Sequence, residues 1–433
     1  MNEYGLQTSE DRCEHFERCF LVALRHKQET PETVKELGAE LEELMRTLDI
    51  EVVGATTANL FKPRPRYLMG SGKAEEITRQ AKECDAEAIV IDDPLSPSQQ
   101  RNWEQLAGMP VLDREEIILD IFGRRARTRE AELQIALARG EYDLPRLKRR
   151  WTHLSRQRGG TSGSVGLRGR GEQQIEEDYR LVNNRITKLK KELEEVRKQR
   201  SVQRKQRQGS DIQTAALVGY TNAGKSSLLN ALSKEADAFT EDKLFATLDP
   251  AVRRIQLPGN QELLLSDTVG FIRKLPHTLI EAFKATLEEA AYADFIIEVL
   301  DVTNPQVQQH HETTDDVLGE LGAADKKRLI VFNKVDLVDN NYTIPRLRRR
   351  FGEPLFVSAK SGRGLEQLRS QLTEELQSEL KEVELMIPHE KYDVVAFLHR
   401  TTNIRKEESL EQGVRLQAVM PPKTAVKLAK YTI

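Results

Sequence analysis

The sequence predicts a multidomain α/β protein. A doubly wound sheet domain is preceded by a smaller N-terminal α/β domain carrying a long helical hairpin, and followed by a small α+β C-terminal domain. Three observations predict it. Short apolar runs alternate with helical patterns in two stretches, about 16–120 and about 214–380. Between them, from about Thr128 to Gln208, strand signals vanish and apolar residues recur at steps of three and four. A loop from Gly219 to Ser226 follows directly on an apolar run and opens a helical pattern. At 433 residues the chain exceeds one ordinary core. The divisions fall at 1–127, 128–208, 212–380 and 381–433.

Composition sets the broad class. Hydrophobic residues make up 38% and charged residues 31%, with a net charge of −3, which fits a soluble chain with locally varied charge. Cys13, Cys19 and Cys84 lack metal-ligand spacing and read as packing residues in a reducing compartment. No apolar run approaches a membrane span, and the acidic N-terminus lacks the pattern of a signal peptide. The expected location is the cytoplasm.

In the first domain, Cys19 to Leu24 reads as a buried strand, Thr33 to Leu48 as a helix and Ile50 to Val53 as a second strand. Ala74 to Ala81 reads as helix and Ala88 to Ile91 as strand, with Ser96 or Ser98 capping the helix after it. In the hairpin, Ile175, Tyr179, Val182, Ile186, Leu189, Leu193 and Val196 form a heptad seam. Leu133, Leu137, Leu144, Leu147, Trp151 and Leu154 offer a partner seam, which predicts antiparallel arms. The tip, 156–171, includes Gly159 to Gly171, a stretch too glycine-rich to be expected as helix. Beyond Lys381 the pattern reads as a strand, a short helix and a final hairpin.

The loop Gly219-Tyr220-Thr221-Asn222-Ala223-Gly224-Lys225-Ser226, followed by Ser227, is GxxxxGK[ST] in a strand–loop–helix setting. Its backbone N–H groups and helix N-terminus suit phosphates. Lys225 is placed to bridge the β- and γ-phosphates, and the Ser226 hydroxyl to ligate Mg²⁺. Asn333-Lys334-Val335-Asp336 selects the base, because a carboxylate at Asp336 can accept from guanine N1–H and its exocyclic amine. Asn333 would support the loop, and the Lys334 stem would cover the base face. Asp267-Thr268-Val269-Gly270 matches DxxG, with Asp267 holding Mg²⁺ through water and the Gly270 N–H facing the γ-phosphate. Ser358-Ala359-Lys360 matches the last guanine-contacting loop. In Leu244-Phe245-Ala246-Thr247-Leu248-Asp249-Pro250, Thr247 sits where a switch threonine ligates Mg²⁺. Five loops in order, each at a strand end, predict a P-loop GTPase domain with GTP or GDP and Mg²⁺ at the carboxyl ends of its strands.

Catalysis departs from the common pattern. Many GTPases carry a water-orienting glutamine after DxxG; here Phe271 and then Ile272 follow Gly270. Intrinsic hydrolysis should be slow unless another group completes the site. Two roles stand open for Asn222: a loop-shaping hydrogen bond, or an oxygen ligand for a monovalent cation such as K⁺ against the phosphates.

These motifs resemble the HflX family of translational GTPases, close to the Obg-type GTPases. The resemblance covers most of the chain and is most specific in Leu244–Pro250, in Asp267 to His277 and in Trp151-Thr152-His153-Leu154. Asp120-Ile121-Phe122, Arg125 to Thr128 and the Gly70-Ser71-Gly72-Lys73 turn also match. It implies binding to the large (50S) ribosomal subunit and, in the GTP state, splitting of stalled or idle 70S ribosomes, with the ribosome stimulating the GTPase. The residues add their own support for an RNA partner, which the resemblance implies is ribosomal RNA. Arg146, Lys148, Arg149, Arg150, Arg156, Arg158, Arg168 and Arg170 lie in a stretch, Leu144 to Gly171, that has no acidic residue. Trp151 and His153 there suit stacking on bases. The basic stretch Arg197 to Arg207 reads equally as hairpin base, linker or a second phosphate contact.

Two departures mark the tip. The family usually reads glycine–proline–glycine–glutamate, where this chain has Gly169-Arg170-Gly171-Glu172. Thr161-Ser162-Gly163-Ser164 also stands as an insertion, so the tip is expected to be more flexible and more basic. The chain is expected to be a monomer, with RNA rather than DNA as its nucleic-acid partner. The competing reading is a GTP-dependent regulatory switch that binds a protein; an ATP-driven helicase would need a second complete Walker motif, and none is present. If Asn222 holds a cation, GTP hydrolysis runs several times faster in potassium than in sodium buffer, and equal rates would remove that role.

Overall fold

The computed structural model describes residues 16–27, 29–150, 165–208, 212–233, 245, 251–258, 261–273, 289–338, 342–378, 381–410, 412–420 and 422–433. The first unit is a four-stranded parallel sheet in the order β2-β1-β3-β4, formed by β1 (Arg18–His26), β2 (Glu51–Leu60), β3 (Ala88–Ile91) and β4 (Val111–Asp113). Its strands β1 and β3 are continuous apolar runs because helices cover both faces. Those helices are α1 (Pro31–Thr47), α2 (Ser71–Glu83), α3 (Pro97–Ala107) and α4 (Arg114–Arg125). Thr30 caps α1, whose Val34, Leu37, Leu41 and Leu44 recur at helical spacing and are buried. Ser96 and Gln99 close a reciprocal capping box on α3. Gly70 is the residue before α2, so the Gly70 to Lys73 turn is a strand-to-helix connection.

Two long helices follow, α5 (Arg129–Arg150) and α6 (Val165–Gln208). Leu133, Leu137 and Leu144 of α5 pack with Val182, Ile186, Leu189, Leu193 and Val196 of α6. Arg129 pairs with Glu192 at 2.8 Å, and Glu141 with Lys190 at 2.7 Å, along the flanks. The helix begins at Val165, so Gly166, Gly169 and Gly171 are helical, contrary to the expectation of a loop through Gly171. Each interior glycine costs about 1 kcal/mol relative to alanine. Extending a helix already nucleated and packed downstream avoids the nucleation penalty, which lets the glycines be carried. Trp151, His153, Leu154, Arg156 and Arg158 lie outside the described residues, as do the side chains of Lys148, Arg149, Arg150, Arg168 and Arg170.

Arg146 corrects the sequence reading. Its guanidinium donates to Asp113 Oδ2 at 3.1 Å, to Gln100 Oε1 at 3.0 Å and to the Leu95 and Tyr142 carbonyls at 2.9 Å each. It also lies 3.3 Å above the Tyr142 ring. A guanidinium with four internal hydrogen bonds and its face on Tyr142 joins α5 to the first unit and is committed to the fold, not presented to an RNA. Nearby, Arg139 joins α5 to α4 through Asp120 at 2.5 Å and the Leu119 carbonyl.

The second sheet has the order β10-β9-β8-β5-β7-β6, parallel except for β6. Its strands are β5 (Gln213–Val218), β6 (Val252–Leu257), β7 (Gln261–Asp267), β8 (Phe295–Asp301), β9 (Arg328–Asn333) and β10 (Leu355–Phe356). Helices α7 (Lys225–Leu232), α8 (Val307–Glu320), α9 (Thr343–Phe351) and α10 (Leu365–Ser378) accompany it. The chain leaves β5 toward β7 on one side and returns to β8 on the other, so the phosphate loop lies at a topological switch point. The last unit is an antiparallel sheet β11-β13-β12 of β11 (Lys381–Ile387), β12 (Asn403–Leu410) and β13 (Gly413–Met420). It packs on α11 (Tyr392–Thr401) and on a short α12 (Pro422–Lys427) after the hairpin. Among the described residues no helix is long and apolar enough to cross a membrane.

Leu193 is 3% exposed in the hairpin seam. Leu193→Ala should cost about 2–5 kcal/mol of local stability and speed amide hydrogen exchange in α5 and α6 while the two sheet cores stay protected.

Candidate nucleotide site

Four of the five segments singled out as nucleotide loops follow strand ends at the carboxyl side of the second sheet: Gly219 to Ser226 after β5, Thr268 to Gly270 after β7, Lys334 to Asp336 after β9, and Ser358 to Lys360 after β10; the fifth, Leu244 to Pro250, lies outside the described residues except for Phe245. The phosphate loop turns through two left-handed positions, Asn222 at φ 59° and Gly224 at φ 87°. A Cβ at Gly224 would stand 2.2 Å from Asn333 Nδ2, so only glycine fits there. Asn333 donates from Nδ2 to the Ala223 carbonyl at 3.0 Å and accepts from the Ala359 N–H at 3.0 Å. One amide therefore ties the phosphate loop to both base-side loops.

Lys225, the first residue of α7, is buried and donates to the carbonyls of Gly219 at 3.0 Å and Tyr220 at 2.9 Å. Burial pulls its ammonium down to about 8, and the Asp267 carboxylate opposes that pull. The Ser226 hydroxyl donates to Asp267 Oδ2 at 2.6 Å, joining the phosphate loop to DxxG. Thr268 is fully buried and donates to the Leu217 carbonyl at 2.7 Å, and Val269 is buried, so their side chains serve the fold. Gly270 approaches closely: a Cβ there would come within 2.8 Å of Thr221 Cα and 2.9 Å of Lys225 Nζ.

At the base side, Asp336 is exposed and Val335 is buried beneath it. A hydrogen bond from the Ser358 hydroxyl holds the Asp336 carboxyl below its ordinary range, helped by the Lys360 and Lys334 charges. Lys334 sits at φ 66° with Nζ 2.8 Å from Asp301 Oδ2. A permanent carboxylate at the loop surface suits a paired N–H donor edge.

Phe271 is 1% exposed and sits in a buried cluster that joins Val218, Tyr220 and Val269 to Ile118, Phe122 and Ile135 of the first units. Its backbone forms a parallel bridge with the phosphate loop: Thr221 N–H to the Phe271 carbonyl at 2.7 Å, and Phe271 N–H to the Gly219 carbonyl at 3.1 Å. Phe245 also belongs to this cluster, edge-on to Phe122 at 4.6 Å, so its ring packs between units instead of contacting a ligand as expected. Ala246, Thr247, Leu248 and Asp249 lie outside the described residues.

Two residues escaped the sequence reading. Glu40 accepts from the Tyr220 hydroxyl at 2.6 Å, and Glu43 accepts from Asn222 Nδ2 at 3.0 Å. Both lie on α1, so the first unit grips two side chains of the phosphate loop, Tyr220 and Asn222. Their signal was the acidic stripe Glu36, Glu40 and Glu43 beside apolar Leu37, Leu41 and Leu44, which reads as a solvated helix face.

Comparison with known proteins agrees with this geometry. Residues 35–123 match a family model described as GTP-binding GTPase N-terminal, 125–207 one described as GTP-binding GTPase Middle Region, and 214–334 one described as 50S ribosome-binding GTPase. GTPase HflX of Akkermansia muciniphila is 45% identical over 97% of this chain and 98% of its own length. The chain belongs to the HflX family of GTPases. The HflX relative from Escherichia coli is 42% identical over 88% of this chain and 89% of that protein. A solved structure described as SsGBP in complex with GDP aligns over 82% of this chain and 97% of that one, at 26% identity and TM-score 0.46. As an HflX protein with its phosphate loop at the switch point, the chain binds GTP and GDP and hydrolyses GTP.

For this HflX chain, Lys225 gives a pH signature. With its pKa near 8 in the ligand-free chain, it is largely neutral near pH 9, and a bound polyphosphate favours the ammonium. GDP binding near pH 9 should take up about one proton, and affinity should fall as pH rises through 8. Calorimetry in buffers of different ionisation enthalpy measures this; no proton uptake near pH 9 would contradict it.

Proposed function

We propose that this GTPase acts on the large ribosomal subunit in the cytoplasm and, in its GTP state, separates stalled or idle 70S ribosomes, with hydrolysis completed by the ribosome. The match of residues 214–334 to the model described as 50S ribosome-binding GTPase carries this reading. The burial of Phe271 supports it, since the position after DxxG offers no side chain to orient an attacking water. In this reading the four divisions at 1–127, 128–208, 212–380 and 381–433 are the working parts, and the chain acts as a monomer.

Within the site, Lys225 would bridge the β- and γ-phosphates and the Gly270 N–H would face the γ-phosphate. Asp336, flanked by Asn333, Lys334, Ser358, Ala359 and Lys360, would read guanine. The Ser226 hydroxyl and the Asp267 carboxylate, 2.6 Å apart, are hard oxygen donors of the kind Mg²⁺ takes, one directly and one through water. Thr247 would complete that set. Mg²⁺, when bound, would neutralise charge on the β- and γ-phosphates. Asn222 already spends Nδ2 on Glu43, which leaves its carbonyl oxygen as the group for a K⁺ ion. The RNA contacts would come from Lys148, Arg149, Arg150, Arg156, Arg158, Arg168 and Arg170.

The chain should co-sediment with large subunits in a non-hydrolysable GTP analogue. Replacing Arg156, Arg158, Arg168 and Arg170 together with alanine should weaken that binding at least about tenfold and flatten its salt dependence. Absence of co-sedimentation, or binding unaltered by the four substitutions, would favour a regulatory switch on a protein partner.

A further inference from the structure

The Tyr220 hydroxyl stands at a junction of three segments. It donates to Glu40 Oε2 of α1 at 2.6 Å and accepts the backbone N–H of Arg273 at 2.7 Å. Glu40 is itself held by Arg114, which is buried and bonds Asp92 at 2.6 Å with its other arm. The Tyr220 ring is fixed by stacking on His310, with centroids 3.6 Å apart and planes 4° from parallel. Burial holds His310 down to about 4, so that partner is neutral at physiological pH. Arg273 lies three residues beyond Gly270, and the parallel bridge between Tyr220 and Phe271 fixes the chain in between.

We propose that Glu40 is a positioning residue for GTP hydrolysis, acting across the domain boundary through the Tyr220 hydroxyl on the Arg273 N–H. The chemistry explains why such a residue is needed. Phe271 supplies no polar group, so the placement of the γ-phosphate site rests on the backbone of Gly270 to Arg273. Displacements of a fraction of an ångström there change rates strongly. The Glu40 oxygen takes the phenol's proton side, and this fixes the direction of the hydroxyl lone pair that the Arg273 N–H uses. The bridge holds the chain before Arg273 and its guanidinium is held by Gln306 and Gln309; Tyr220, directed by Glu40, is what fixes the Arg273 N–H itself. GDP has no γ-phosphate, so its affinity feels the relay only through the phosphate loop that Tyr220 belongs to, and less than hydrolysis does.

The test uses the full chain without ribosomes, measuring single-turnover GTP hydrolysis at saturating GTP together with GDP affinity. Tyr220→Phe keeps the ring, its stacking and its burial and loses only the hydroxyl. Hydrolysis should slow about tenfold while the GDP Kd stays within about threefold. Glu40→Ala should slow it equally, and the double variant should be no slower than either single one, because the two act as one unit. Glu40→Gln, which keeps an oxygen to accept from Tyr220, should restore most of the rate. The proposal is overturned by a wild-type rate in Tyr220→Phe, by faster hydrolysis in Glu40→Ala, or by losses that multiply in the double variant. A GDP affinity that falls in step with the rate would also overturn it. If Glu40→Ala does not fold, Tyr220→Phe against Glu40→Gln decides: equal losses in both would count against the relay.

Discussion

A phosphate loop must point several backbone N–H groups inward at once, and that geometry forces its side chains outward and part of its backbone into the left-handed region. Here Asn222 and Gly224 take those conformations, and at a non-glycine position this costs about 1–2 kcal/mol. The loop therefore needs anchors on its outer surface. Asn333 holds the Ala223 carbonyl from the base side, Glu43 holds Asn222, and Glu40 holds Tyr220. Two of these three come from a different folding unit. The first unit is thus part of the wall of the nucleotide site, and the burial of Phe122, Phe245 and Phe271 in one cluster keeps it there.

The same polar groups continue toward the hairpin. Asp113 accepts from Arg146 and Tyr142 of α5, while its neighbour Arg114 holds Glu40 and Asp92. The burial of these charges is affordable only because each is bonded several times over, and removing one partner would leave another uncompensated. A rigid junction results, in which α5, the first sheet and the phosphate loop meet through adjacent residues. Tyr142 and Arg146 lie near the C-terminal end of α5, so this junction braces the hairpin arm on the side of its tip, which suits the proposed contact with a ribosome.

The nucleotide loops were legible because their chemistry is local: each is a short run at the end of an apolar strand, and a chemical need dictates its residue types. The structure brings Ser226 to Asp267 and Asn333 to the phosphate loop that Lys225 closes. The heptad seams were legible for the same reason, since periodicity is read within one segment. What failed were side chains whose roles depend on another unit. Arg146 looked like part of a basic probe and is bound internally; Phe245 looked like part of a switch and is a core residue. Glu40 and Glu43, which the helical pattern of Thr33 to Leu48 does not single out, grip the loop. In each case the local pattern was identical for either role, and only the tertiary neighbour distinguished them. The helical start at Val165 was missed because glycine propensity is a weak prior beside a long, packed helix.

On the proposed reading the chain binds nucleotide by itself and needs the ribosome to complete hydrolysis, because Phe271 is committed to the core. Single-turnover GTP hydrolysis by the full chain, with and without purified large ribosomal subunits, tests it most directly. A slow rate alone, rising by about a hundredfold or more with the subunit, is the predicted result. A fast rate without the subunit, or a slow rate that the subunit leaves unchanged, would contradict it.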